Sequence, residues 1–528
     1  MQGAVSAKLS SDAVARYHHA VLLQGRGDAG GAALAYEQAV RLAPGFAEAW
    51  SNLGNVYRQL GRRDDALRAY DAAILAKPDF AAVYCNLGVL LIELERHTDA
   101  TRALEVAIRL QPEMPEAHAN LGQALRRDRQ YAAAIAASRR AIELRPSYRD
   151  AYLNLAAAAY EVDAFEDAVI ANERAAAIDP ACAQAYCNAA GALHALGRYD
   201  EAIAACDRAI ALRPDYAEAH ANRAISLLLA GDFARGWSDY PWTWRVPAKR
   251  ASYPYLDRFP LWEGAPFHGR RLLVTREQGF GDALQMARYL PAVKARGGTV
   301  ALEVAPALAA LFAGLPGVDE LRVVEDTTVP RDDVDLHVPL LGLPRAFADG
   351  PNPIPFEAPY VHADPARVER WRARLGPRER FRVGFVWSGN PGHVDDRHRS
   401  CSLADFARLR EIAGVAWYSL QKGRDQDPPG AGAPAFEPLG PELGDFAETA
   451  AAVSELDLVV AVDTSIVHLA GAMGKPVWTL LAFVPDWRWL AAGASTPWYP
   501  TMRLFRQPRA GDWSSVFAEA ARALRELV

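Results

Sequence analysis

A short polar cluster between two apolar segments is the part of this sequence best suited to chemistry. Asp463, Thr464 and Ser465 directly follow the apolar run Leu458–Val462, and His468 comes three residues after the serine. A carboxylate, two hydroxyls and an imidazole so closely spaced can surround one ligand. We interpret the cluster as a phosphate site with a carboxylate and an imidazole at its rim.

Two strands and a helix are expected to position this cluster. Leu458–Val462 and Val477–Leu481 are apolar enough to be strands that are covered on both faces. Between them, Ser465 is predicted to cap a helix over residues 466–472, which ends before Gly474. In such βαβ units, ligands bind at the carboxyl ends of the strands, and the open N–H groups of a helix start bind anions. The start of this helix is therefore the predicted phosphate site.

A second candidate group lies earlier in the chain, in the motif GFGD. Gly279, Gly281 and Asp282 stand at the turn between the predicted strand 272–275 and the predicted helix 283–296. The two glycines let a ligand approach the backbone, and Asp282 can act as a general base. The same aspartate can also simply cap its helix. Both interpretations remain open from the sequence.

Polar residues also follow the next predicted strand, residues 381–387. They are Ser388 and Asn390 in a glycine-containing turn, and Arg397 and Arg399 in a basic loop. Arginines and helix-start amides together suit a diphosphate leaving group.

The second half of the chain alternates predicted strands and helices. This alternation predicts an α/β fold of two Rossmann-like parallel-sheet lobes with a cleft between them, the GT-B arrangement. We assign residues 271–362 to the N-terminal lobe and residues 363–512 to the C-terminal lobe. A last helix over 513–528 is expected to return to the first lobe.

The first 239 residues form an internal repeat. Prolines recur every 34 residues, at positions 44, 78, 112, 146, 180 and 214. That period is typical of tetratricopeptide repeats, whose helix pairs stack into an α-solenoid. We expect about seven units from Ser11 to Trp237. Residues 240–270, rich in proline and aromatic residues, are expected to pack as a junction against the second half of the chain.

A column of asparagines keeps the same period. Its members are Asn52, Asn86, Asn120, Asn154, Asn188 and Asn222. Their amides can bond the backbone of an extended peptide in the inner groove. Alternatively, asparagine at this place supports the repeat itself. The column resembles the asparagine ladder of eukaryotic protein O-GlcNAc transferases, which holds the acceptor polypeptide.

Composition excludes several classes of protein. The net charge of −6 argues against a general nucleic-acid binder. The start of the chain lacks a signal-peptide core, and no apolar run reaches the length of a membrane span. The five cysteines show no metal spacing. We therefore expect a cytoplasmic protein.

Several C-terminal motifs carry a family resemblance. They are GFGD at 279–282, DTSIVHLAGAMGKP at 463–476, PDWRWL at 485–490 and PWYPTMRLFRQ at 497–507. With the repeats, they resemble bacterial tetratricopeptide proteins that carry a glycosyltransferase domain similar to the ADP-heptose:LPS heptosyltransferases of glycosyltransferase family 9. This group of repeat proteins includes flagellin glycosyltransferases. The resemblance implies that the acceptor binds on the side of the N-terminal lobe and the nucleotide sugar on the side of the C-terminal lobe. Some members modify flagellin in the cytoplasm with nonulosonic acids from CMP-sugar donors.

The resemblance implies roles for the candidate residues. Asp282 would be the base, with Gly281 beside the donor. Asp463 would meet donor sugar hydroxyls, and Thr464, Ser465 and His468 would hold the diphosphate. The expected enzyme is metal-independent and needs no cofactor beyond its nucleotide-sugar co-substrate. It would move sugar to a protein acceptor in the repeat groove, with flagellin as one candidate.

Three alternatives stay open. The chain can be a lipopolysaccharide or glycolipid transferase whose repeats bind a partner rather than the acceptor. It can also be a repeat scaffold with an inactive transferase domain. Finally, Asp333 and Asp335 form a D-x-D pair, the metal motif of another glycosyltransferase fold, although this pair is better placed to open a strand.

Overall fold

The computed structural model describes residues 10–277, 279–325, 333–348, 354–355, 358–393, 396–423 and 435–528. The chain divides into two compact units, one ending at Leu193 and the other running from His194 to Val528. Across the described ranges, no helix is both long enough and apolar enough to cross a membrane.

Antiparallel helix pairs build the N-terminal region, as the 34-residue period predicts. Those wholly within the first unit are α1 (Ser11–Gly25), α2 (Ala29–Leu42), α3 (Ala47–Gln59), α4 (Arg63–Ala76), α5 (Ala81–Glu93), α6 (His97–Leu110), α7 (Pro115–Arg127), α8 (Tyr131–Leu144), α9 (Arg149–Glu161) and α10 (Phe165–Ile178). Helix α11 (Ala183–Ala195) spans the division, and α12 (Tyr199–Leu212), α13 (Ala217–Ala230) and α14 (Phe233–Asp239) belong to the second unit.

Small residues let the two helices of a pair approach each other. A Cβ built on Gly54 would lie 2.4 Å from the Tyr70 ring, and one on Gly88 would lie 2.5 Å from Leu104. The partner side chains are buried and have no room to move. The repeated glycine is therefore a packing requirement within the repeat.

A second recurring contact fixes the turn before the first helix in four of the repeats. The ring six residues after the repeat proline bonds the carbonyl oxygen of that proline, at 2.9–3.2 Å. The rings found in this contact are those of Trp50, Tyr84, His118 and His220. An indole, a phenol and an imidazole thus do the same structural work.

The junction packs into the second unit, as predicted. It begins with a 3₁₀ helix (Tyr240–Arg245) and one turn of helix, α15 (Pro247–Arg250). Trp244, Trp262 and Phe267 are buried in the same core as the strands of the first sheet. The junction is therefore part of the folded body of this unit.

The rest of the second unit alternates strands and helices. The elements are β1 (Arg271–Thr275), α16 (Phe280–Met286), α17 (Leu290–Lys294), β2 (Thr299–Val304), α18 (Pro306–Phe312), β3 (Glu320–Val323), β4 (Leu336–Pro339), α19 (Pro365–Leu375), β5 (Phe381–Val386), α20 (Asp396–Arg399), α21 (Ala407–Arg410), β6 (Val415–Ser419), β7 (Glu437–Pro438), α22 (Phe446–Ser454), β8 (Leu458–Val462), α23 (Ser465–Ala472), β9 (Val477–Leu481), β10 (Met502–Arg506) and α24 (Trp513–Leu527).

The strands form two separate parallel sheets with helices packed on them. The first has the order β3-β2-β1-β4 and the second the order β10-β9-β8-β5-β6-β7. In the second sheet, the chain runs outward in one direction from β5 and in the other direction from β8. This reversal leaves a crevice at the carboxyl ends of β5 and β8.

Two local predictions were wrong. The helix expected over 283–296 is instead α16, a 3₁₀ turn (Ala287–Tyr289) and α17, because Pro291 lacks an N–H and interrupts the helical ladder. Helix α24 has the predicted position in the sequence but does not return to the first lobe. It packs on the second sheet's layer, where Phe517 meets Phe406 at 4.8 Å between ring centroids.

Candidate functional site

The second sheet brings two polar segments to one edge. β5 ends at Val386 and is followed by Ser388 and Gly389, while the neighbouring β8 ends at Val462 and is followed by Asp463. β8 is buried throughout and β5 is buried in all but its first residue, so the polar residues that follow the strands are the ones at the carboxyl edge. The crevice between them is the place where open parallel sheets bind ligands.

Helix α23 begins one residue earlier than the sequence predicted. Thr464, not Ser465, has the extended backbone of the N-cap residue, with φ −141° and ψ 170°, and Ser465 is the first helical residue. A β-branched threonine prefers extended angles, which explains the shift. No side chain caps this start, and within the described residues the buried Thr464 Oγ1 has no hydrogen-bond partner. The helix start therefore keeps open donors.

Asp463 stands beside this start and is largely buried, with 15% of its side chain exposed. Burial, followed by the negative charge of Asp486, raises the pKa of Asp463 to about 6, while Arg399 and Arg488 oppose the rise. The carboxyl of Asp463 therefore binds a proton more readily than an ordinary aspartate does. Its Oδ1 lies 4.0 Å from Nε2 of His468.

His468 is buried and tightly held. Its Nδ1 lies 3.0 Å from the hydroxyl of Tyr499, and its ring stacks on Trp489 at 5.1 Å between centroids. Burial, together with the positive charges of Arg488 and Arg288, holds the pKa of His468 well below its usual value. The ring is therefore neutral and brings polarity without positive charge.

The GFGD turn of the first lobe meets this histidine. A Cβ built on Gly281 would lie 2.7 Å from Cδ2 of His468, so the backbone of α16 passes directly against α23. Beside it, Phe280 and Phe446 pack with their ring centroids 5.0 Å apart. The predicted base candidate and the predicted phosphate site therefore belong to one place in the molecule.

Asp282 caps its own helix and also makes an ion pair. Its Oδ2 accepts a hydrogen bond from the backbone N–H of Gly279 at 3.2 Å. Its Oδ1 accepts one from Arg488, in the segment that follows β9. Burial raises the pKa of Asp282 above its usual value, although Arg488 opposes the rise. Capping and chemistry are thus compatible at this residue, since 21% of the side chain stays exposed.

The remaining predicted donor residues differ in their placement. Ser388 is buried, and its backbone N–H bonds Oε1 of Gln421. Asn390 is exposed, and its Oδ1 accepts from Gly392. Arg397 is exposed on α20. The positive charge of Arg399, on the same helix, lowers the pKa of Asp463.

Two charged residues at the site were missed by the sequence analysis. Arg488, within the motif PDWRWL, bonds three side chains at the site, those of Gln285, Asp486 and Asp282. Glu277 follows β1 and accepts hydrogen bonds from Tyr253 and from the backbone of Leu341. Burial raises the pKa of Glu277 to about 7. An acidic residue directly after a buried strand is the signal that could have identified it.

The D-x-D pair lies away from this site. Asp333 pairs with Arg322, and Asp335 accepts a hydrogen bond from the backbone N–H of Arg271. These contacts hold the start of β4 against its neighbours. In the described ranges, no group of three or more histidine, cysteine, aspartate or glutamate side chains is arranged to hold a metal ion.

The asparagine column has a structural role within the solenoid. Nδ2 of Asn154 donates to the carbonyl of Ala119 at 3.0 Å, and Nδ2 of Asn52 donates to the hydroxyl of Tyr17 at 3.1 Å. Each of these two bonds ties a repeat to the preceding one. Asn120 and Asn154 also line a hollow of about 220 Å³ together with Gln123 and Gln184. Asn86, Asn188 and Asn222 are partly buried at the equivalent positions.

The repeats are also found by comparison with known families. The description "Tetratricopeptide repeat" matches residues 17–82, 52–115, 85–148 and 119–181, and "TPR repeat" matches 190–231. The N-terminal region thus consists of tetratricopeptide repeats throughout.

One curated relative is Protein FlbA of Caulobacter vibrioides (strain ATCC 19089 / CIP 103742 / CB 15). It is 26% identical over 337 residues, which is 57% of this chain and 54% of the relative. The chain therefore spans about half the length of this relative.

Similar solved structures share the repeat region. PilW, a type IV pilus biogenesis factor, is 21% identical and covers 40% of this chain and 97% of its own, with a TM-score of 0.38. YrrB, a repeat protein described as having an unusual peptide-binding site, is 24% identical over 35% of this chain and 96% of its own, with a TM-score of 0.31. MamA is 29% identical over 31% and 97%, with a TM-score of 0.29. Such partial matches carry no argument about function.

Proposed function

We propose that this tetratricopeptide repeat protein is a glycosyltransferase that moves a sugar from a nucleotide-sugar donor to a protein acceptor. One observation carries the proposal. A carboxylate on the first lobe, Asp282, and an uncapped helix start on the second, at Thr464, meet where Gly281 passes against His468. A base opposite an anion site is what transfer from an activated sugar requires.

In this proposal Asp282 deprotonates the acceptor hydroxyl. The carboxylate is partly exposed and anchored through both oxygens, so it is held in one orientation. Its pKa lies above the ordinary value because of burial, which strengthens it as a base while Arg488 keeps it ionisable.

The departing phosphate is stabilised by the start of α23. The donors are the open backbone N–H groups there, the hydroxyl of Thr464 and the guanidinium of Arg399. His468 is neutral and adds only a polar ring. Asp463 is placed to accept hydrogen bonds from donor sugar hydroxyls. The reaction needs no metal in this scheme, because the arginine and the amide dipoles take that role.

The acceptor is proposed to bind along the repeat groove. The hollow lined by Asn120, Gln123, Asn154 and Gln184 offers side-chain amides, which bond peptide backbone without regard to sequence. One amide N–H of Asn154 is fixed by the carbonyl of Ala119 in α7, so the side chain is already ordered before a peptide arrives. Flagellin is one candidate acceptor, on the basis of the resemblance alone.

A scaffold without transferase activity is the second candidate. The repeats suit a protein that assembles others, and they do not themselves require chemistry. A transferase acting on a glycolipid, with a partner protein in the groove, is the third. The three candidates differ in whether a nucleotide sugar binds and in what receives the sugar.

Calorimetry with UDP-, ADP- and CMP-sugars tests the first difference. We expect one class to bind, and mass spectrometry of candidate acceptor proteins and of glycolipids incubated with that donor identifies what gains the sugar. Asp282→Asn should reduce turnover by roughly 10²–10⁴-fold while leaving the fold intact. Asp333→Asn is the matched control, since that carboxylate pairs with Arg322 elsewhere on the same lobe. Full turnover by Asp282→Asn would refute the assignment of Asp282 as the base. If no nucleotide sugar binds, the scaffold without transferase activity is the function that remains.

A further inference from the structure

Arg488 occupies an unusual position for a side chain of the second lobe. It is buried, and its guanidinium reaches helix α16 of the first lobe. There its Nη2 donates a hydrogen bond to Asp282, and its Nε donates one to Oε1 of Gln285 at 2.6 Å. Its third contact is Asp486 of its own segment, at 2.8 Å through Nη1. One guanidinium therefore joins the two lobes at the base candidate.

The backbone that carries Arg488 is fixed on its outer side. Its carbonyl accepts a hydrogen bond from Thr496, and Ala491 donates one to the carbonyl of Leu229 in α13. Trp487 packs against Trp237, with ring centroids 5.1 Å apart. The arginine is thus presented by a rigid segment, so the position of α16 relative to that segment decides whether the contact forms.

We propose that Arg488 is a positioning residue, which aligns the carboxylate of Asp282 for proton abstraction only when the two lobes lie together. This inference rests on the proposed transferase function and extends it to the control of that same site. Asp282 retains an exposed face while Arg488 and Gly279 hold its two oxygens. A cleft opened for substrate entry would separate Asp282 from Arg488, and closure would restore the alignment.

The charges around Asp282 determine in which direction the pH profile should move when one of them is removed. The groups that face it are Arg488 and Asp486 from the segment after β9, His393 from the loop after β5, and Glu277, Tyr240 and Tyr253 from the side of β1 and the junction. Arg488 lowers the pKa of Asp282, and Asp486 raises it. Removing either charge must therefore move the acid limb of the pH profile, and in opposite directions.

Two other roles for Arg488 make different predictions. If the guanidinium binds the donor phosphate, its loss raises KM for the donor and leaves the acid limb in place. If it merely holds the lobes together, any other arginine between the lobes should give the same effect. Arg288 is such an arginine, since it bonds the carbonyl of Trp498 and the hydroxyl of Tyr360 without touching Asp282.

The test compares Arg488→Gln, Asp486→Asn and Arg288→Gln in the full chain, with kcat and KM measured from pH 5 to pH 9. For Arg488→Gln we expect kcat to fall at least about tenfold, donor KM to change less than about threefold, and the acid limb to move to higher pH. Asp486→Asn should move it to lower pH, and Arg288→Gln should not move it. A raised donor KM with an unmoved acid limb, or an equal shift in Arg288→Gln, overturns the inference.

A measurement without substrate separates this inference from the proposed function. Asp282→Asn, Arg488→Gln and the double variant form a cycle whose free energies of unfolding report the coupling between the two side chains. We expect the double variant to lose less stability than the two single losses together. If the wild type is active and the two losses of stability are additive, the role of Arg488 is overturned while the proposed function stands. If the two side chains are coupled but the wild type turns over no nucleotide sugar, the proposed function is overturned, and the inference with it.

Discussion

Replacing Gly281 with alanine tests the contact on which the candidate site depends. The added methyl would lie 2.7 Å from Cδ2 and 3.2 Å from Nε2 of His468, where ordinary contacts begin at 3.4 Å. The histidine cannot retreat, because Tyr499 and Trp489 hold its ring. Helix α16 must therefore move away from α23 by about 0.7 Å.

The expected cost follows from that displacement. Overpacking costs about 1–3 kcal/mol, and alanine recovers about 0.5–1 kcal/mol of helix propensity. A net loss of about 1–2 kcal/mol in the free energy of unfolding should lower Tm by about 1–3 °C in a unit as large as His194–Val528. If the contact also aligns Asp282, turnover should fall by more than tenfold, since an error of 1 Å in position can cost about 10²-fold.

Thermal unfolding followed by circular dichroism, together with turnover, measures both effects. Gly191→Ala is the matched control, because a Cβ at this helical glycine would meet only Tyr160, at 3.9 Å. That variant should be no less stable than the wild type. If Gly281→Ala unfolds at the wild-type temperature with unchanged turnover, the close approach of α16 to α23 is wrong and the shared site falls.

Three further predictions concern other parts of the chain. Glu277→Gln should flatten the pH dependence of stability. The pKa of Glu277 is raised to about 7 in the folded protein, so the wild type loses stability as pH rises from about 4.5 to about 7. Tm measured across that pH range checks this. Deleting residues 1–193 should leave a unit that melts cooperatively. Deleting residues 1–237 should not, because the longer deletion removes the buried Leu229 from the core of that unit. Thermal melting curves of the two variants test this. Asn154→Ala should lower the free energy of unfolding by about 0.5–1.5 kcal/mol through its lost hydrogen bond, as urea titration measures.

Each of these has an opposite result that would refute it. A Glu277→Gln protein with the wild-type pH dependence would mean that this carboxyl is not buried in its neutral form. Equal melting of the two deletions would separate the last repeat from the α/β body. An Asn154→Ala protein of unchanged stability would leave the asparagine column to ligand binding alone.

Local patterns were sufficient to predict most elements of this fold. The 34-residue period predicts the repeats because each helix pair must expose the same face to its neighbour. Strands β8 and β9 are continuous apolar runs, which only burial on both faces explains. Helix α24 has the predicted bounds, yet its packing partner was wrong, because an amphipathic helix does not specify which apolar surface it covers.

The site was less accessible to sequence reasoning than the fold. Asp463 directly follows β8, and Asp282 lies in the first turn of the helix that follows β1. The topology of parallel sheets therefore predicts that both lie where ligands bind, at the carboxyl ends of strands. Arg488 comes from a loop more than two hundred residues away from Asp282, and no periodicity connects the two. The shift of the N-cap from Ser465 to Thr464 has a different cause, since both side chains are suited to the position and only the backbone angles decide.

The contact between a ring and the repeat proline determines which residues can replace one another at this position as the repeats diverge in sequence. The position encodes a donor with the reach of an aromatic ring, and the identity of that ring is secondary. Trp, Tyr and His can therefore replace one another there, whereas Phe would leave the carbonyl facing hydrocarbon. A search for these repeats by tryptophan or tyrosine alone would pass over the units anchored by His118 and His220.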